Sequence, residues 1–318
     1  DSLKLFTPAG ISSLPGMPSA APAGAFLTRD EIADYLEAYA ARFHLPVQLD
    51  TVVDTLTREE GHYLLTVGDQ QLAAKQVVVA TGSYQQPRIP AFASELDPTI
   101  TQFHSDAYRN PNQLQEGDTL VVGAGSSGAE IALELASTRR VWLAGRDPGH
   151  LPKNIPPMFS RLYWWIMHKA INTDNKIGRT MKEKARKGGA PLIGIPKSAF
   201  ARAGVERLPR MAGVQDGKPL LQDGRVLSVT NVIWCTGYAP AYSWITIPVF
   251  GSDGYPLHTR GMVANEPGLY FLGLPFQYTL TSSFIGGVGR DAGYVAEQIA
   301  TRSPVHVTPT MPTATLSV

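Results

Sequence analysis

Residues 119–130 read T-L-V-V-G-A-G-S-S-G-A-E, a short apolar strand running into Gly123, Gly125 and Gly128 and then into a helix-forming stretch. In that strand–turn–helix setting the three glycines fit GxGxxG, the pattern of a dinucleotide-binding turn. Gly123 permits the tight turn, Gly125 lets backbone approach a pyrophosphate, and Gly128 lets helix and strand pack closely. The helix that begins at Ser126 and Ser127 offers the phosphates its unpaired N–H groups and the positive end of its dipole. The next strand of the unit, at 141–144, ends in Gly145-Arg146. An acid there suits the ribose hydroxyls of NAD, whereas arginine suits a 2′-phosphate, so Arg146 favours NADP(H). An ordinary surface arginine is the plainer alternative.

The rest of the chain bounds the architecture around this turn. Its 318 residues suffice for two ordinary domains, and 43% hydrophobic with 17% charged residues is a globular composition. A net charge of +1 gives no argument for nucleic acid as partner. No apolar run approaches the roughly 18–20 residues that span a bilayer. One cysteine, Cys235, excludes an internal disulfide and any two-cysteine redox pair, and a cytoplasmic setting is expected. Cys235 itself is most simply a buried small residue. Neither a Ser/His/Asp triad nor a cluster at metal-ligand spacing is readable, so no metal is expected. The expected partners are a small-molecule substrate and, at most, further copies of the chain.

Thr28-Arg29-Asp30-Glu31 is a capping box, followed at helical spacing by Ile32, Leu36, Tyr39 and Phe43. Strands are expected at 47–56, 62–67 and 71–79, the last ending in V-V-V-A-T-G. A second strand–Thr-Gly element is V-I-W-C-T-G-Y at 232–238, and G-L-Y-F-L-G-L at 268–274 is a third apolar strand. Singly, Thr81-Gly82 and Thr236-Gly237 read as tight turns. As a pair bracketing the GxGxxG turn they argue for two dinucleotide-binding domains joined by crossing strands. Between 146 and 210 the chain carries fourteen Lys/Arg against four acids, opening on the aromatic run F-S-R-L-Y-W-W-I-M. A lid or a surface for an anionic partner is one reading of this insertion; a solvated amphipathic excursion is the other.

Seven segments together carry a resemblance: D-S-L-K-L-F-T-P (1–8), V-V-V-A-T-G (77–82), H-S-D-A-Y (104–108), G-A-G-S-S-G (123–128), W-C-T-G-Y (234–238), G-L-Y-F-L-G-L-P-F-Q-Y (268–278) and G-G-V-G-R-D-A (286–292). With them the chain resembles the class B flavin-dependent monooxygenases, and their bacterial flavoprotein subgroup fits best. The resemblance implies an α/β protein of two Rossmann-like, three-layer dinucleotide-binding domains. The FAD-type domain would comprise 1–82 and 232–302, and the NADP(H) domain 83–231 with its basic insertion at 146–210. Residues 303–318 are expected to form a disordered tail. Members begin with a strand–GxGxxG–helix unit ahead of the segment matching D-S-L-K-L-F-T-P, so the FAD-type domain is expected to be truncated at its N-terminus.

By the same resemblance NADPH reduces FAD, oxygen adds to the flavin, and the peroxyflavin passes one oxygen atom to a small nucleophilic substrate. Thr81, Gly82, Thr236, Gly237 and Asp291 would lie along the flavin. His104 falls where the monooxygenase signature F-x-G-x-x-x-H has its histidine, but Pro98 and Ile100 replace the Phe and Gly. That departure points away from the strict Baeyer–Villiger branch and leaves His104 as the single catalytic candidate. Two other functions stay open: a non-catalytic NADP(H)-binding protein that has lost FAD, and a flavin reductase or oxidase yielding hydrogen peroxide.

Overall fold

The computed structural model describes residues 2–151, 162–186 and 191–302. The tail expected at 303–318 lies outside them, as do 152–161 and 187–190 of the basic insertion. Thr28 starts α1 (Arg29–Arg42) through the expected capping box, its hydroxyl accepting from Glu31 N and the Glu31 carboxylate accepting from Thr28 N. Only Tyr35 of this helix is buried, while Leu36 and Phe43 of the expected apolar stripe are exposed. Tyr35 is held by polar contacts: its hydroxyl donates to Met17 O at 2.6 Å and accepts from Leu14 N at 2.7 Å. An antiparallel meander follows, of β1 (Thr55–Glu59), β2 (His62–Val67) and β3 (Gln70–Ala74). The strand expected from 47 begins only at Thr55.

Further along come β4 (Val77–Val79), β5 (Thr101–His104), β6 (Thr119–Val122), α2 (Ser126–Leu135) and β7 (Val141–Ala144). The basic excursion contains α3 (Lys176–Arg186) and α4 (Lys197–Ala203). The chain then runs through β8 (Glu206–Leu208), β9 (Asn231–Trp234), β10 (Leu269–Phe271) and α5 (Ile285–Arg302).

Five strands form one parallel sheet in the order β8-β7-β6-β9-β5. Its middle strands are buried on both faces, which is why they read as unbroken apolar runs. On one face Val121, Leu143 and Ile233 pack against Ala129, Ala132 and Leu135 of α2. On the other, Leu120, Trp142, Val232 and Trp234 form a second cluster with Leu208 and Met211. The α/β fold with a parallel sheet is therefore as the sequence implies.

The second layer is smaller. Among the described residues, β4 and β10 make a two-stranded parallel pair, and β1–β3 pack beside it around Leu56, Tyr63, Val79, Tyr242 and Phe271. The expected domain boundary lies at 231/232. It cuts through β9, which hydrogen-bonds along its length into the five-stranded sheet between β6 and β5.

Candidate nucleotide site

The turn after β6 is built by backbone proximity. Gly123 has φ +109°, and a Cβ there would lie 2.1 Å from the carbonyl oxygen of Cys235. At Gly128 a Cβ would lie 1.8 Å from Gly123 O, so α2 can sit against the turn only without a side chain. Gly125 differs, since no atom stands within 4 Å of its Cβ position. It is the N-cap of α2 and provides no side-chain cap, leaving the first N–H groups of the helix, at Ser126 and Ser127, open to an incoming anion.

This turn forms one wall of a cleft of about 530 Å³ lined also by Phe92, Arg146, Arg210, Met211, Thr236 and Gly237. Arg146 and Arg210 are both exposed, and their side chains make no hydrogen bond or ion pair among the described residues. Arg210 was not legible from the sequence. It comes beside Arg146 because β8 runs parallel to β7, with Leu208 opposite Ala144. The neighbouring acid Asp147 is occupied: Lys197 Nζ lies 2.9 Å away, His150 Nε2 3.2 Å, and Gly149 N donates at 2.9 Å. The hydrogen bond from Lys197, then that from Gly149, depress its carboxyl to about 2.

The two strand–Thr-Gly elements meet. Gln85 donates to Thr81 Oγ1 and Gly82 O, both at 2.9 Å, and accepts from Ala241 N at 2.5 Å. Residues Gln86–Pro87 and Tyr238–Ala239 pair antiparallel beside them. Thr236 Oγ1 donates to Arg88 O, and Gly237 O accepts from Arg88 N at 2.9 Å. Ser83 Oγ, next to the first turn, is buried with no hydrogen-bond partner among the described residues.

His104 is buried and bonded at both ring nitrogens. Nδ1 accepts from Asp106 N at 3.2 Å, so the proton sits on Nε2, which donates to Gly237 O at 3.0 Å. It thereby ties β5 to the turn that lines the cleft. Tyr238 packs edge-on against it at 5.0 Å and donates to Asp106 Oδ1 at 3.0 Å. Burial, then that hydrogen bond, push the Tyr238 phenol up to about 12. Burial likewise holds the Cys235 thiol protonated, at about 12. Among the described residues no group of side chains could hold a metal ion.

Gly123, Gly125, Arg146, Thr236 and Gly237 thus share one cleft, while other expected site residues lie elsewhere. Ser127 lines a separate small cavity with Ser2, Ser105, Tyr108 and Glu134. Thr81 and Gly82 do not line the cleft; both accept a hydrogen bond from Gln85. Asp291, 1% exposed on α5, pairs with Arg290 at 3.2 Å, and Arg290 also donates to Thr279 Oγ1 at 2.9 Å.

Comparison with known proteins gives the family. The family described as pyridine nucleotide-disulphide oxidoreductase matches residues 8–168. A protein named "Uncharacterized oxidoreductase CzcO-like" from Geobacillus kaustophilus is 42% identical over 94% of this chain and 86% of its own length. The "Probable indole-3-pyruvate monooxygenase YUCCA3" of Arabidopsis thaliana is 28% identical over 95% of this chain and 77% of its own. Among solved structures, a mutant of the flavin monooxygenase from Stenotrophomonas maltophilia superposes with a TM-score of 0.74 at 25% identity, covering 95% of this chain and 85% of that one. The family's name refers to a disulphide, but with Cys235 as its one cysteine this chain has no dithiol of its own to cycle. The chain belongs to the pyridine nucleotide-disulphide oxidoreductase family, on its flavin monooxygenase-like side.

Proposed function

We propose that the chain is an NADPH-dependent flavoprotein oxidoreductase of the monooxygenase type, acting on a small nucleophilic substrate in the cytoplasm. One observation carries the cofactor choice: two arginines without partners among the described residues, Arg146 and Arg210, line the cleft, while the neighbouring acid Asp147 is held by Lys197. A site for NAD needs a free carboxylate for the ribose, and a site for NADP needs free cations for the 2′-phosphate. Gly123, Gly125 and the first amides of α2, at Ser126 and Ser127, would take the pyrophosphate, with Gly128 keeping that helix close.

The residues proposed to face the flavin are Thr81, Gly82, Thr236, Gly237 and Asp291. In support, the Cβ positions of Gly82 and Gly237 look onto open space, and the orphaned Ser83 hydroxyl beside them calls for a polar partner. Bound there, a flavin would supply the redox chemistry, taking electrons from NADPH and passing them to oxygen. The chain's own part is to hold and orient. His104, with both nitrogens committed to backbone, serves as a positioning residue that fixes Gly237 at the edge of the cleft.

The test is to supply FAD and follow NADPH oxidation, oxygen uptake and product with amines, sulfides and ketones. An oxygenated product, with kcat/KM for NADPH at least about tenfold that for NADH, is expected from a charge-assisted contact worth about 1.5–3 kcal/mol. Hydrogen peroxide as the sole product would replace this reading with an oxidase. Nucleotide binding without flavin binding would leave a non-catalytic protein.

The Asp147 pair gives a finer check. Its carboxyl is ionised throughout the working pH range, and the pair's contribution, full above the ordinary value of 3.8, declines below it and is lost as pH falls through about 2. Lys197→Ala leaves that charge uncompensated next to the cations of the cleft. NADPH is then expected to bind about two- to fivefold more weakly, the scale of an exposed ion pair, with NADH unaffected. Paired binding titrations of the two nucleotides would read this directly.

A further inference from the structure

Half of the chain's 28 basic residues fall within 146–210, which leaves the remainder with 14 basic and 23 acidic residues. Within that region, 161–187 has eight Lys/Arg and two acids. One of the two, Asp174, is already engaged, since the Tyr278 hydroxyl donates to it at 2.6 Å. The molecule is nearly neutral as a whole and strongly polarised in its parts.

The helical segment at 162–170 has its faces reversed relative to an ordinary surface helix. Its inner side is taken up by the protein. Trp164 is buried, His168 Nδ1 is 2.8 Å from Thr281 Oγ1, and the His168 carbonyl accepts from Arg290. Its outer side carries Leu162, Trp165 and Ile166, at spacings of three and four residues, where polar groups belong. Trp165 is 54% exposed and Leu162 56%.

The same arrangement recurs in α3. Gly178 is buried so tightly that a Cβ would lie 1.8 Å from Asn172 O, which fixes the inner side of that helix. Ile177 is consequently turned out, 68% exposed, beside the exposed Lys176. Thr173 N donates to Tyr278 O at 2.8 Å, so the turn joining the two helices is fastened to the body of the protein. The apolar groups are therefore held outward on an anchored support.

We propose that this face, from Leu162 to the start of α3, docks on an anionic membrane surface, with Leu162, Trp165 and Ile166 entering the headgroup–acyl boundary. A tryptophan with branched aliphatic neighbours, ringed by lysine, is the chemistry of an interfacial anchor. Lys169 and Lys176 supply attraction to acidic headgroups, and the excess of acids on the rest of the chain turns this face toward the bilayer. No membrane-crossing helix is involved, and none of the described helices is long and apolar enough to be one.

The experiment is flotation of the full chain with vesicles of phosphatidylcholine alone or with about a third phosphatidylglycerol, across a salt series. Binding to the anionic vesicles, little to the neutral ones, and release by salt are expected. Lys169→Glu with Lys176→Glu should lower the partition coefficient at least about tenfold, each lysine near such a surface being worth several-fold. Leu162→Ser with Trp165→Ser should do likewise, and bromine-labelled lipid should quench tryptophan fluorescence in the parent chain more than in this variant. Thermal unfolding and nucleotide titration, neither of which involves these four exposed residues, confirm that the variants are folded. Equal binding to both vesicle types, or no loss in the charge-reversed variant, would overturn the proposal. So would loss on charge reversal with no loss in the serine variant, because adsorption would then be electrostatic without insertion.

Discussion

Gly123→Ala is expected to abolish nucleotide binding and to destabilise the fold by about 3 kcal/mol or more. Two costs combine: a left-handed φ of +109°, which an L-residue strains to adopt, and a Cβ placed 2.1 Å from the Cys235 carbonyl. The oxygen cannot step aside alone. It belongs to the backbone just past β9, whose Cys235 N–H is bonded to Val122 O at 2.7 Å, so the end of the sheet must move with it. Urea denaturation measures the first effect and fluorescence titration with NADPH the second. Gly125→Ala is the informative control. Its φ is −74° and its Cβ would meet nothing within 4 Å, so stability should be nearly unchanged while the phosphate approach is blocked. If both variants lost stability equally, steric exclusion by the Cys235 carbonyl would not be what reserves position 123 for glycine.

Arg146→Ala and Arg210→Ala are each expected to weaken NADPH about 10- to 100-fold, with NADH binding unchanged. A hydrogen bond to a charged group contributes roughly 1.5–3 kcal/mol, and neither arginine side chain has a partner among the described residues to fall back on. The double variant should have lost its preference between the nucleotides. Because they would share one phosphate, the two losses should be less than additive. Parallel titrations of the four proteins with both nucleotides decide it. An equal fall for NADPH and NADH would mean that the arginines touch the common part of the nucleotide, and the assignment of a 2′-phosphate site would fail.

The glycine turn after β6 was legible because each of its requirements leaves a trace in local sequence. Apolar strand, spaced glycines and helix follow one another within a dozen residues, and the capping box at Thr28 is equally local. What was not legible depends on partners distant in sequence. Arg210 enters the cleft only because a three-residue strand, too short to show a period, lies beside β7. Asp147 reads as a neighbour of Arg146 until the fold brings Lys197 to it. The apolar positions of α1 mislead for a related reason. That helix is held by the Tyr35 hydroxyl, so its residues at helical spacing do not mark a buried face. A domain boundary near 232 is hard to read because one apolar run, V-I-W-C-T-G-Y, both completes a sheet and crosses out of it.

The position of β9 also governs the order in which this sheet can be made. The strands β5 and β6 are near neighbours in the chain, yet they do not pair, because β9 lies between them and bonds to each. Its continuation fastens Gly237 to His104, which was made 133 residues earlier. In this sheet β5 pairs with β9 alone, so its ladder can form only after the whole basic excursion and β9 have been synthesised. A nascent chain that ends before residue 231 would leave the hydrogen-bonding edges of β5 and β6 that face β9 both unpaired, a template for pairing with another chain.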